Sequence, residues 1–211
     1  MTLFYLGTHV PNWLWRSDIR HPLFVSNRTL TRYKNYRKAT SNWCLDSGGF
    51  SELSLYGKWD TTANQYIGRV RRYKNEIGNL TWAAPMDWMC EPSMLTKTGK
   101  SVEEHQILTC ENFAYLRTQA PDLPFIPVLQ GWMPNDYLQH AKMYAEYGVK
   151  LSEESTVGVG SVCRRAKVDG MKQVFNHLSD DGLRLHGFGL KQDGIKLFGD
   201  SLQSSDSMAW S

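Results

Sequence analysis

The stretch NWCLDSGG (42–49) decides how the chain folds: a short run of strand-forming residues delivers an acid, Asp46, straight into the turn formers Ser47-Gly48-Gly49. An amphipathic run follows at 61–77, and then LTWAAPMD (80–87) repeats the design with Asp87 at its tip. Working outward, the same pattern recurs in FYLGTH (4–9), PLFVSN (22–27), PFIPVLQG (124–131), TVGVGS (156–161), RLHGFGL (184–190) and SLQSSDS (201–207). These make eight candidate strands. Candidate helices lie between them at 61–77, 101–119, 134–147, 167–179 and, shorter, 192–198. The second is the best marked, because Ser101 and Glu104 form a capping box and Pro121 follows its end.

Apolar strands alternating with amphipathic helices predict an α/β fold with a parallel sheet covered by helices, and eight of them predict closure into a (β/α)8 TIM-type barrel. An open doubly wound sheet is the alternative. The crossovers 10–21 and 28–41 have weak helical periodicity, and the chain stops directly after the eighth strand. The barrel is therefore expected to be irregular in its first two units and to lack a closing helix.

A chain of 211 residues with 41% apolar residues fills one sizeable core, so a single domain spanning 1–211 is expected. No segment approaches the roughly 18 to 20 apolar residues of a membrane span, and MTLFYLGTHVP is not built like a signal peptide, which predicts a soluble, intracellular protein without a membrane partner. Cys44, Cys90, Cys110 and Cys163 form no CxxC pair and no short Cys/His spacing, so neither zinc nor a disulfide framework is expected. The net charge of +3 is small but uneven: Arg16, Arg20, Arg28, Arg32, Lys34, Arg37 and Lys38 stand against the single acid Asp18. Such a block suits phosphates, and a solvated basic face has the same sequence.

In a barrel, all the strand tips converge on the face where active sites of this fold lie. Asp46, Asp87 and Asp206 come together there with Gln130-Gly131 and Gly160-Ser161, and His186 sits inside its strand. Three carboxylates on one rim point to acid/base and nucleophilic work by aspartate rather than to a Ser-His triad. Chemistry at an anomeric carbon suits them, one carboxylate attacking C1′ while another moves the proton of the leaving group. Each piece alone has a plainer reading. Asp46 before Ser-Gly-Gly is also an ordinary turn acid, and Asp87 and Asp206 could be loop acids or caps. Gly158 and Gly160 also suit tight strand packing, and Gln130 at its strand tip suits a ligand as well as a structural partner. Trp82, Trp88, Trp132 and Trp210 lie beside these positions and could stack a base, although core packing is the commoner fate of tryptophan. His9, at the tip of the first strand, would share the rim.

The run Leu45-Asp46-Ser47-Gly48-Gly49-Phe50, then Pro85-Met86-Asp87 with Glu91-Pro92, Val128-Leu129-Gln130-Gly131, Val157-Gly158-Val159-Gly160, Leu185-His186-Gly187-Phe188-Gly189 and Ser205-Asp206-Ser207-Met208-Ala209 resembles, in order, the tRNA-guanine transglycosylases. The likeness covers residues 42–211, and DSGGF is its most specific element. The short length, LGTH and PLFVSN are similar to the DNA-modifying DpdA-type branch found in phages and bacterial genomic islands.

The resemblance implies base exchange through a covalent intermediate, guanine in DNA being replaced by a 7-deazaguanine such as preQ0, with no redox or organic cofactor. Asp206 matches the nucleophile and Asp46 the general acid/base. Asp87 matches the acceptor for the guanine N1 and N2 edge, and Gln130 with the Gly160-Ser161 backbone matches the reader of O6. Ser47, Gly48 and Gly131 complete the base pocket. Arg164 and Arg165, with Arg32 and Arg37, are candidate phosphate contacts. The tRNA enzymes carry a zinc-binding CxCxxC cluster after the nucleophile, whereas this chain ends five residues past Asp206. That leaves no zinc subdomain and makes DNA the expected polymer and tRNA the alternative. Accessory DNA-modification proteins and a bacterial or phage-infected cytoplasm fit the same picture. Two rival readings use the same residues: a non-catalytic nucleic-acid-binding subunit, against which the retention of both Asp46 and Asp206 speaks, and a nucleoside deoxyribosyltransferase.

Overall fold

The computed structural model describes residues 2–162 and 170–208. Its strands are β1 (Leu3–Thr8), β2 (Leu23–Ser26), β3 (Trp43–Asp46), β4 (Leu80–Ala83), β5 (Val128–Leu129), β6 (Val157–Val159), β7 (Leu185–Gly187) and β8 (Leu202–Ser207). They form one parallel sheet in the order β4-β3-β2-β1-β8-β7-β6-β5. The two ends of that order meet at a single parallel bridge between Ala83 and Phe125, where the Ala83 N–H donates to the Pro124 carbonyl (2.9 Å) and the Ile126 N–H to the Ala83 carbonyl (3.1 Å). That bridge closes the barrel, so the fold is the (β/α)8 type and not an open doubly wound sheet.

Several strands are shorter than their apolar runs, for local reasons. Pro124 and Pro127 have no N–H to give a ladder, so the run 124–131 pairs regularly only over β5. Pro85 ends β4 in the same way. Residues 47–49 leave β3 because Gly48 takes φ +85° and starts a helix.

The helices are α1 (Asn27–Leu30), α2 (Gly49–Tyr56), α3 (Ala63–Glu76), α4 (Pro92–Thr98), α5 (Val102–Gln119), α6 (Pro134–Glu146), α7 (Met171–Asp180) and α8 (Gln192–Phe198). The Ser101/Glu104 box starts α5, with the Glu104 N–H on Ser101 Oγ (3.1 Å) and the Ser101 N–H on Glu104 Oε2 (2.7 Å). Thr62 and Gln65 do the same for α3. The helix expected at 167–179 is seen from Met171 onward, and its first expected residues lie outside the described ones. The early irregularity is real: the first crossover holds only the 3-10 turn Pro11–Trp15 and the second only the single turn α1. Two short helices were not expected from periodicity, α2 and α4, each too brief to show a repeat and each closed by a left-handed glycine, Gly57 and Gly99.

Strand parity sorts the side chains. Trp43, Leu45, Val157 and Leu185 point outward into a core shared with Tyr66, Phe113, Tyr144 and Phe175 from the helices. Tyr5, Phe24, Cys44, Trp82 and Ile126 point inward and plug the barrel, with Phe188 against them. Two residues further along β3, on the face that Cys44 shares, stands Asp46; two beyond the buried Ser204 on β8 stands Asp206. The period of two thus sets both carboxylates directly above an apolar plug.

Candidate active site

The C-terminal tips of the strands open on a cleft, on the face where active sites of this fold lie. Asp46, Asp87, Gln130 and Asp206 all line it, as do Ser47, Gly160 and Ser161. The sequence-expected residues therefore meet, although they come from five different strands and the loops that follow them. Asp46 is partly open to the cleft, whereas Asp87, Gln130, Ser161 and Asp206 are buried.

A hydrogen-bonded chain forms one wall. Ser47 Oγ donates to Asp87 Oδ1 (3.3 Å), Gln130 Nε2 donates to Asp87 Oδ2 (2.6 Å), and Ser161 Oγ lies 2.8 Å from Gln130 Oε1 and 2.9 Å from Glu91 Oε2. The same hydroxyl accepts the Cys90 N–H (2.9 Å). A hydroxyl has one proton, so Ser161 serves one of two acceptors at a time and the wall is rich in acceptors. Ser161 reaches this position with φ +55°, a left-handed backbone that few residues with a side chain adopt. Close packing makes Gly160 necessary, since a Cβ there would lie 2.2 Å from Gln130 Nε2.

Burial sets the electrostatics. It pushes the Asp87 carboxyl up from 3.8 to about 7; the Gln130 hydrogen bond opposes the rise and the charge of Asp46 adds to it. Burial also raises Asp46, against hydrogen bonds from Ser26 and the Gly48 backbone N–H, and the charge of Asp206 raises it further. Asp206 accepts from the Gly189 N–H (3.0 Å) and stands 3.2 Å from His186 Nε2, both at Oδ1.

A second lobe shares Phe24, Asp46 and Asp206 with the first and is bounded by His9, Arg28 and Arg32. Among the described residues neither Arg28 nor Arg32 has an ion-pair partner, whereas Arg16 is taken by Asp18. Two guanidinium groups without an ion-pair partner beside the carboxylates have the chemistry that suits an anion such as phosphate.

Other expected residues fall elsewhere. Gly131 is packed against Asp136 and Tyr137 and Gly48 starts α2, so neither lines the cleft; both serve the backbone path. Arg37 is exposed and borders neither lobe. Arg164, Arg165, Cys163 and Trp210 lie outside the described residues. Trp82 belongs to the barrel plug, and Trp88 and Trp132 do not line the cleft. The aromatic walls are Phe24, Phe50 and Phe188 instead, with Phe50 60% exposed at the mouth. Phe50 and Phe188 sit inside DSGGF and LHGFG, so the signal for them was already in those motifs; the tryptophans drew the stacking role because they lie beside the candidate positions in sequence.

Cys44, Cys90 and Cys110 are buried free thiols, and burial raises all three, so none is a ready thiolate. Among the described residues no three His, Cys, Asp or Glu side chains are grouped to hold a metal. No helix among them is long and apolar enough to cross a membrane.

Comparison with known families matches residues 1–211 to the model described as DpdA, DeoxyPurine in DNA protein A. No curated protein matches the chain. The match covers the whole sequence, including the first 41 residues that lie outside the motif likeness, and it selects DNA rather than tRNA as the polymer. The chain belongs to the DpdA family and is a DNA-guanine transglycosylase, an enzyme that exchanges guanine in DNA for a 7-deazaguanine base.

Proposed function

We propose that Asp206 is the nucleophile and Asp46 the proton-transfer group of a ping-pong base exchange, carried by a single barrel domain over residues 1–211. The supporting observation is that both carboxylates open on both lobes of one cleft and that Asp46 is held above the ordinary carboxylate range. A carboxyl group that holds its proton more tightly than usual is suited to give it to departing guanine, while the carboxylate beside it attacks C1′. In the second half the same two groups act in reverse on the incoming base.

The acceptor-rich wall suits a guanine edge, which offers N1–H and N2–H donors to Asp87 and its O6 to the amide of Gln130. The reacting nucleotide has to leave the base stack, because C1′ and the base edge are otherwise out of reach. Phe24, Phe50 and Phe188 offer ring faces to that base, and Arg28 and Arg32 offer charge to the phosphates beside it. The incoming base in this proposal is preQ0 or a derivative, and accessory proteins that open the duplex in a bacterial or phage-infected cytoplasm fit the need for base extrusion.

The test is mass spectrometry of nucleosides from DNA and, separately, tRNA incubated with the protein and either labelled guanine or preQ0. Label or 7-deazaguanine is expected in DNA alone. Incorporation into tRNA and none into DNA would contradict the reading.

A further inference from the structure

Both hydrogen bonds that the described residues make to Asp206 land on one oxygen. His186 Nε2 and the Gly189 N–H meet Oδ1, at 3.2 and 3.0 Å, and no described residue donates to Oδ2. The imidazole is fully buried. The rings of Tyr5, Phe24, Trp82 and Phe188 surround it at centroid distances of 5.9, 5.9, 4.7 and 4.8 Å. Its Nδ1 lies 2.9 Å from Ser204 Oγ. An ionised carboxylate only accepts, so the contact needs a proton on Nε2, and Nδ1 shares a hydrogen bond with the Ser204 hydroxyl. Ser204 and Asp206 share the inner face of β8. One strand therefore grips the ring at one end and receives its proton at the other.

We infer that His186 is a positioning residue for the covalent step: it fixes Oδ1, leaves Oδ2 as the attacking atom, and stabilises Asp206 as the leaving carboxylate when the sugar passes to the incoming base. The inference rests on Asp206 being the nucleophile. In the first half, Oδ2–C1′ forms while C1′–N9 of guanine breaks, N9 takes the proton of Asp46, and the carboxylate loses its charge. In the second, N9 of the incoming base gives its proton to Asp46, C1′–N9 forms, and C1′–Oδ2 breaks with its electron pair returning to the carboxylate. A donor on Oδ1 opposes the loss of charge and favours its return. Removing it slows resolution of the adduct more than its formation, whichever base resolves it.

The experiment uses His186→Phe, which keeps an aromatic ring in the cage and removes the donor, and His186→Gln, which keeps an amide N–H. Adduct with a guanine-containing oligonucleotide is isolated and chased with guanine or with preQ0, and its decay is followed on denaturing gels. With His186→Phe the adduct is expected to form and then to decay roughly 10- to 100-fold more slowly than wild type, alike for both bases, as suits a lost charge-assisted hydrogen bond. His186→Gln is expected to restore much of the rate. Ser204→Ala keeps the ring, removes its anchor, and is expected to slow decay by a smaller factor. Unchanged decay in both His186→Phe and Ser204→Ala, or equal slowing by Phe and Gln, overturns the inference while the nucleophile stands. Absence of adduct from wild type overturns the nucleophile itself, and this inference with it.

Discussion

Gln130 Nε2 donates to Asp87 Oδ2 at 2.6 Å, joining the loop after β4 to the tip of β5 across 43 positions of sequence. It is a side-chain amide hydrogen bond on a carboxylate whose pKa burial has moved from 3.8 to about 7. The folded protein thus holds the Asp87 proton more tightly than the unfolded chain does. The stability this adds is fully present below about pH 4 and is lost as pH rises through 7. Asp87→Asn cannot ionise and still offers an oxygen to Gln130. Thermal melts at pH 8 are expected to show the variant more stable by up to about 4 kcal/mol, or about 8–16 °C, with the difference vanishing near pH 4. The same variant should lose selectivity for guanine, because N1–H and N2–H then face a group with one acceptor and two donors.

In the proposed exchange Asp46 and Asp87 need opposite protonation states. If Asp46 protonates the departing guanine and Asp87 reads its N1–H and N2–H edge as a carboxylate, single-turnover release against pH is expected to be bell-shaped. Burial carries Asp87 to about 7 and, with the charge of Asp206, raises Asp46, and the two limbs belong to this pair of coupled carboxyl groups. Asp46→Asn should slow release by on the order of 10²- to 10⁴-fold and remove the alkaline limb alone. An alkaline limb that survives in Asp46→Asn would assign the proton to another group.

Arg28 and Arg32 have no ion-pair partner among the described residues and face the lobe shared by both carboxylates. Replacing either by alanine is expected to weaken DNA binding and to lower the slope of log K against log salt by roughly one. Arg37 borders neither lobe, and Arg37→Ala should leave that slope nearly as it was. Binding titrations at several salt concentrations separate the two cases.

Gly160 leaves no room for a side chain, because the added carbon would meet Gln130 Nε2 at 2.2 Å. Gly160→Ala should therefore push Gln130 off Asp87, at a stability cost of about 1–3 kcal/mol, and raise KM for the incoming base while adduct formation still occurs. Steady-state kinetics on folded protein checks this.

The barrel was legible because its strands alternate with helices of visible period, and the cleft because Asp46, Asp87, Gln130, Ser161 and Asp206 each end or follow an apolar run. What stayed hidden depends on distance in sequence. The Ala83–Phe125 closure is one bridge between segments with proline on the strand, which no local pattern marks. The Ser161–Glu91 contact spans 70 positions, and Glu91 was seen only as part of a motif. Arg28 was visible as part of a basic block, but α1 is a single turn, so nothing local told which of seven cations would face the carboxylates.

The proposed exchange turns on a bond between Asp206 and C1′. Protein is incubated with a guanine-containing oligonucleotide, with and without preQ0, and run on a denaturing gel for wild type, Asp206→Ala and Asp206→Asn. Wild type is expected to give a covalent protein–DNA band that preQ0 discharges, and neither variant is expected to give one. A band from Asp206→Ala, or exchange of labelled guanine by it at near the wild-type rate, would mean that another group attacks C1′.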